Sequence, residues 1–428
     1  MGQTKMKKAP AYRFLIFILA TLAYITMFWS VQLLTSYMQE IKPFLNITDG
    51  QFGILVSACT FTMAIFSFLG GPLYMKYGAK KTILLGLALQ IVAGVLALLF
   101  ANSYMVVFII RIIQGIGSGL TQVCAISAAM VWFPSNERAT AQGITMAFYG
   151  IAVLVPTLLA SATGSMGLDW RTGYALQLII GCGITAVLYM ALYKDINVKY
   201  PGCNSMDEVI GISVAAVEEN TEQNVIFFKP QNYSECVKNI PFWLIAVSTF
   251  FTAWTSLGLS YVIPLLLPEL GLSAAEVTQV TSTTFLGAIV MTPFGGPISE
   301  KLFKSRKTPW CMVCFGLLAI LLLLVPVLVR TNVPLIVLSI VLFLAFGFAL
   351  AYSGPLWTIP GLVFDPKFVA AGSGLVAFIS SLGPVVATPV MGTVSDMAGT
   401  AMSGVYVVVL VQIILILLSV VLLKKYKI

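Results

Sequence analysis

The sequence predicts an all-α integral membrane protein with twelve transmembrane helices in two six-helix bundles, and three observations predict it. Hydrophobic residues fill 59% of the 428 positions, charged residues only 9%, and mean hydropathy is +0.97. A soluble domain of this length could not carry that composition on its surface. Apolar runs of about 20 residues, the length that crosses a bilayer, recur with short connections until nearly the whole chain is used, which leaves no room for a separate soluble domain. Residues 29–76 and 254–301 also align without a gap at a constant offset of 225. Trp29 falls on Trp254, Pro43 on Pro268, Thr48 on Ser273, Gly70-Gly71-Pro72 on Gly295-Gly296-Pro297, and Lys76 on Lys301. The two halves repeat one unit in the same sense, as in a parallel repeat about an axis along the membrane normal.

In chain order, Lys5, Lys7, Lys8 and Arg13 precede an apolar run that is too long for a cleavable leader and lacks a small-residue cleavage site, so the first helix is expected to remain. Helices are expected over 12–38, 49–74, 79–100, 104–131, 139–163 and 171–193 in a first bundle, residues 1–193. A second bundle, residues 241–428, is expected to hold helices over 241–267, 274–299, 309–330, 334–357, 371–397 and 402–423. Residues 194–240 between them carry Asp207, Glu208, Glu218, Glu219, Glu222 and Glu235, which suits a solvated cytoplasmic linker. Thr48 with Gln51, and Ser273 with Glu276, have the spacing of a capping box. Each opens the second helix of its half, as a repeat demands.

With both termini inside, twenty Lys and Arg residues fall on the inner side, and only Lys42, Arg171 and Arg330 on the outer. That asymmetry predicts a multi-pass protein of the cytoplasmic membrane with cytoplasmic termini. The net charge of +8 thus reports topology, and no nucleic-acid partner is expected. Cys311 and Cys314 are spaced as a metal or redox pair, but the chain has no His and both sit in an apolar helix. Neither metal nor cofactor is expected.

The loop after the second helix reads Gly71-Pro-Leu-Tyr-Met-Lys76-Tyr-Gly78-Ala-Lys80-Lys81, and its counterpart Gly296-Pro-Ile-Ser-Glu300-Lys301-Leu-Phe-Lys304-Ser-Arg306-Lys307. Both resemble the loop signature of the major facilitator superfamily. The fourth helix opens with Arg111-Ile-Ile-Gln114-Gly115-Ile-Gly117-Ser-Gly119 and ends in Trp132-Phe133-Pro134-Ser-Asn-Glu137-Arg138. The first run resembles the family's fourth-helix motif and the last resembles its anion-transporting branches, including organic anion and organophosphate carriers, although a fourth-helix Arg also occurs in its drug and proton antiporters. The resemblance implies alternating access, with Gly71, Lys76, Gly78, Gly296, Glu300, Lys301, Glu137 and Arg138 as gating residues. The usual acid of the first loop is Met75 here, and the second keeps it as Glu300. The inner gate is therefore expected to depend on Glu300, at the N-terminal end of the fifth helix. The Gly-Pro pair expected in an antiporter's fifth helix is lacking, since Gly150 and Pro156 are separated; Gly383-Pro384 lies in the eleventh instead.

Arg111 lies about seven residues, roughly 10 Å, into its helix, and each of the 16 acids lies in a loop or near a helix end. A buried guanidinium normally faces a cavity with a purpose. Aligning Gly115 with Gly347 sets Phe343 opposite Arg111, so symmetry does not demand the charge. Two readings stay open: Arg111 binds an anionic substrate, with Gln114 and Gln122 near it, or it braces helices through carbonyls and Gln side chains. Tyr24, Trp29, Gln32, Tyr149, Trp254, Tyr261, Tyr352 and Trp357 are candidates for the cavity lining. A cationic drug would want a carboxylate inside the membrane, and none is offered. The resulting expectation is a monomeric secondary transporter of a small organic anion, with the bilayer as its surroundings. The alternative is a proton-coupled efflux antiporter for amphipathic drugs. An enzyme would need a positioned base or metal that this composition does not supply.

Overall fold

The computed structural model describes residues 10–134, 137, 141, 144–145, 148–203, 205–211, 233–303, 307–331, 333–363 and 369–426. Helices and their connections account for all of the described residues. The first half comprises α1 Tyr12–Ser36, α2 Met38–Leu45, α3 Asp49–Phe100, α4 Tyr104–Trp132, α5 Tyr149–Ser165 and α6 Trp170–Leu192. The second comprises α7 Ile240–Glu269, α8 Ala274–Phe303, α9 Thr308–Arg330, α10 Leu335–Ala351, α11 Ser353–Val363, α12 Val369–Ala398 and α13 Met402–Tyr426. Three helices of four or five residues, Ile196–Lys199, Met206–Ile210 and Tyr233–Val237, lie between the halves.

The departures from expectation have local causes. The first helix breaks at Tyr37 and restarts as α2, which ends at Asn46 in the left-handed region. Helices expected over 49–74 and 79–100 run on as α3, interrupted only at Gly78 with φ 82°, a conformation that glycine adopts without strain. The chain reverses there, because Thr62 from one arm and Gly86 from the other both pack against the middle of α4, at Gly115 and Gly117. Asp195 supports the reversal by accepting from the Ala79 amide at 3.0 Å. The tenth helix likewise divides at Tyr352 into α10 and α11. The expected start of the fifth helix at 139 lies outside the described residues.

Large apolar side chains such as Phe68, Ile180, Ile320 and Leu417 point outward. Nine helices among the described residues are long and apolar enough to cross a membrane, and α5 is a shorter apolar helix. Inside, glycines set the close approaches. A Cβ on Gly115 would strike Thr62, and one on Gly347 the Gly287 carbonyl and Met291. Thr62 and Gly287 are partners at the offset of 225, so the Gly115–Gly347 equivalence holds in space. Phe343 therefore stands where the first half has Arg111.

Both capping boxes form. Thr48 and Gln51 exchange hydrogen bonds at 3.0 and 3.3 Å, and Ser273 and Glu276 do so at 2.9 and 3.4 Å. They place the N-termini of α3 and α8 at corresponding points on the same end of the molecule, where each faces the opposite half.

Candidate functional site

A cavity of about 650 Å³ lies between the halves, walled by α1, α2, α5, α7 and α8. Its lining is predominantly apolar and carries hydroxyl and amide groups from every wall: Gln32, Thr35 and Ser36 from α1, Gln39 from α2, Thr157, Ser161 and Ser165 from α5, Ser260 from α7, and Thr278 and Thr281 from α8. Phe285 adds an aromatic face, and Glu40 stands on the wall at the α2 end. Gly164, Ser165, Ala274 and Ala275 place the mouth at the end that carries the connections α2–α3, α5–α6 and α7–α8.

Two sequence candidates meet here. Gln32 donates to the Tyr149 hydroxyl at 3.3 Å, and Tyr149 also meets Ser260 across the halves. Phe28 packs edge-on against Tyr149 and Tyr24, with centroids 5.0 and 4.9 Å away, so Tyr24 supports this wall from behind. Gln32 Oε1 and Thr281 Oγ1 have no hydrogen-bond partner among the described residues, although their residues are 1% and 3% exposed. Such atoms are costly to bury unserved.

Arg111 lies behind α1, fully buried. Its Nε donates to the Leu55 carbonyl at 3.2 Å, and the terminal nitrogens to Gln114 Oε1 at 2.7 Å, the Val31 carbonyl at 3.0 Å and the Ser30 carbonyl at 3.5 Å. Gln114 is held in turn by Ser30 and by the Tyr174 hydroxyl at 2.6 Å. Of the two roles left open by the sequence, this geometry matches the brace. No carboxylate among the described residues neutralises the charge. Gln122 is remote from this group and accepts from Ser67 at 2.6 Å.

Trp29, Tyr352 and Tyr261 make their polar contacts outside the cavity. Trp29 donates to Gln177 at 3.1 Å inside the first half, and Tyr352 donates to the Thr252 carbonyl at 3.3 Å inside the second. Trp254 is buried against Phe251, and close packing at Gly383 fixes its backbone. Tyr261 stacks on Phe52 and donates to the Asp49 carbonyl, so it joins the two halves outside the cavity.

Of the gating candidates, Glu137 pairs with Arg13 at 2.9 Å, tying the end of α4 to the start of α1. Glu300 is largely exposed and pairs at 3.4 Å with Lys307 of its own loop; the N-terminal end of the fifth helix, its expected partner, lies largely outside the described residues. Its side chain sits at the rim, where the nearest cation is the one its own chain provides. Gly71 and Gly296 have open space where a Cβ would stand. The close approach belongs to the preceding glycine of the second motif, Gly295, against the Ala351 carbonyl. Lys76 lies over the Tyr77 ring, Lys301 is exposed, and Arg138 lies outside the described residues.

Sequence reasoning missed the firmest contact between the halves. Asp396 of α12 accepts from the Asp49 and Gly50 amides at the N-terminus of α3, at 2.9 and 2.7 Å. Lys42 pairs with Asp49, and Gln39 donates to the Pro264 carbonyl at 3.0 Å. One signal was available: Asp396 lies in the last turn of its helix, where the carbonyl end repels a carboxylate, so it needs a donor from elsewhere.

The family model described as Major Facilitator Superfamily matches residues 16–388 and 245–427. A probable sulfoacetate transporter of Cupriavidus necator is 25% identical over 84% of this chain and 82% of its own. A hexuronate transporter of Bacillus subtilis is 23% identical over 84% and 82%. A phosphoglycerate transporter protein of Salmonella typhimurium is 23% identical over 71% and 66%. Among solved structures, a D-xylose-proton symporter superposes with a TM-score of 0.76 over 97% of this chain and 98% of its own at 16% identity, which shows the shared fold.

Proposed function

Since this chain belongs to the Major Facilitator Superfamily, we propose that it is a secondary transporter that moves a small organic anion across the cytoplasmic membrane by alternating access. Residues 1–193 and 241–428 rock as two bundles about the cavity, residues 194–240 form the cytoplasmic linker, and both termini are cytoplasmic. The protein works as a monomer and not as an enzyme. The charge asymmetry supports this orientation, which makes the cavity mouth the outer one.

The observation that carries the anion reading is the buried charge of Arg111. It is held by the carbonyls of Ser30 and Val31, adjacent in sequence to Gln32 on the cavity wall. With no carboxylate counter-ion described, its field extends into a low-dielectric space and favours negative solutes without touching them. The substrates named for the three relatives, sulfoacetate, hexuronate and phosphoglycerate, all contain a carboxylate. The neutral hydroxyls of the lining then supply hydrogen bonds to the rest of the molecule.

The test is uptake of these three anions, glucose and a lipophilic cation into proteoliposomes by the parent and by Arg111→Gln. Anion uptake by the parent, reduced at least tenfold in the variant, is the expected result. Uptake of the cation alone, driven by a proton gradient, would replace this reading with an efflux antiporter.

A further inference from the structure

Gln39 of α2 donates through Nε2 to the Pro264 carbonyl of α7 at 3.0 Å, and the offset of 225 makes these two residues repeat partners. Equivalent positions of two units related by a two-fold axis touch each other only close to that axis, which here runs along the membrane normal between the bundles. The contact therefore stands over the centre of the path between the halves. Both residues line the cavity, at the end that carries its mouth. The bonds made by Ser57, Thr388 and Asp396 lie to one side, within the α3/α12 seam.

The acceptor follows from the sequence. Pro268, one turn after Pro264 in α7, has no N–H, so the Pro264 carbonyl lacks its usual helical donor. Pro43 stands at the same place in α2 and frees the Gln39 carbonyl likewise, but residue 264 is a proline with no donor to return, so the bond runs one way. We propose that Gln39 is the bolt of the outer gate: its amide holds α2 to α7 across the axis, and it lets go each time the two bundles part on this side. This rests on the alternating-access reading above, with this end outside, and assigns that motion a residue. A bond that must break and re-form in every cycle has to be weak, and this one joins a neutral amide on an exposed side chain to a carbonyl, where water competes on nearly equal terms. The two bonds at Asp396 are charge-assisted and stronger. The α5/α8 side has open space at Gly164, so that side gives way first once the bolt is drawn.

The experiment reads how fast a membrane-impermeant maleimide, added outside cells that carry the full-length protein, labels a Thr157→Cys reporter. Thr157 lies on the cavity wall, about two turns below Ser165 at the mouth, roughly 12 Å at 1.5 Å per residue. Gln39→Leu keeps the bulk of the side chain and removes the donor, and Pro268→Ala gives the Pro264 carbonyl a donor within its own helix. In the reporter background each is expected to label about two- to tenfold faster, the change that losing one neutral hydrogen bond brings to an opening equilibrium. Labelling from the other face, in inside-out vesicles, should not quicken, because the two openings exclude each other. Unchanged labelling from outside in both variants overturns the bolt and leaves alternating access standing, and faster labelling from both faces overturns it as general loosening. If the reporter labels only in inside-out vesicles, the orientation falls and the outer bolt with it. Should Pro268→Ala fail to fold, Gln39→Leu decides alone.

Discussion

The α3/α12 and α5/α8 seams are related by the internal repeat, yet one is closed and the other holds the cavity mouth. Along α3/α12 the packing is close from the N-terminus of α3 inward: Asp396 on the α3 amides, Gly392 against the Asp49 carbonyl, and Thr388 donating to the Gly53 carbonyl at 3.0 Å. Along α5/α8 one close approach, Gly150 on Ala288 and Ile289, gives way to open space at Gly164. The difference teaches that the repeat preserves where helices start and cross, while a few side chains decide which seam opens. Six-helix bundles of equal design thus yield one access route on this face.

The same substitution in the two seams sharpens the contrast most. A Cβ on Gly53 would come within 2.4 Å of the Thr388 carbonyl, so Gly53→Val forces backbone apart and costs about 1–3 kcal/mol as an overpacked contact. Gly164 has nothing within 4 Å, so Gly164→Val changes stability by less than about 0.5 kcal/mol, since glycine is already a weak helix former. Thermal unfolding of both variants checks this. Equal losses would mean that the two seams are packed alike.

Asp396→Asn is next in size. It keeps the shape but removes the charge that two helix-terminal amides share, a loss of about 1 kcal/mol on the scale of a helix cap. Hydrogen exchange at the Asp49 and Gly50 amides should quicken while amides in the middle of α4 keep their protection. Unchanged exchange at those two positions would show that Asp396 does not hold the seam.

The fold was legible because hydropathy, capping boxes and an ungapped repeat all act along the chain. Gly78 illustrates the limit: its place in a motif was readable, but that helix resumes at the very next residue depends on Asp195, 117 positions away. The site was legible only in part. Gln32 and Tyr149 were found as polar and aromatic residues on helices expected to line a cavity. Arg111 was conspicuous by its charge, but its orientation depends on carbonyls of α1 and α3, and a carbonyl leaves no trace in sequence. Ser165, Thr281 and the other hydroxyls of the cavity wall were missed for the same reason: hydroxyls are common in these helices, and which of them share a wall is visible only once both halves are seen in space.

The smallest expected effect concerns the cavity mouth, where Glu40 stands with no equivalent in the closed seam. Burial holds its carboxyl above the ordinary range, and the Asp169 charge adds to this. Asp169 is itself held below its usual value, chiefly by the Thr172 hydroxyl, and stays ionised while Glu40 titrates. The sign follows directly. As pH falls through the raised range of Glu40, the mouth loses a negative charge and an anion meets less repulsion, so affinity rises toward acid. The interaction is largely exposed, which limits it to roughly two- to fivefold in affinity. Glu40→Gln removes the charge at every pH, so it should raise affinity at neutral pH toward the parent's value in acid and flatten the dependence between them. Binding isotherms of one anion at the two pH values, for parent and variant, measure both effects. An unaltered slope in Glu40→Gln would place the titrating group elsewhere and remove Glu40 from the list of features that set the open seam apart from the closed one.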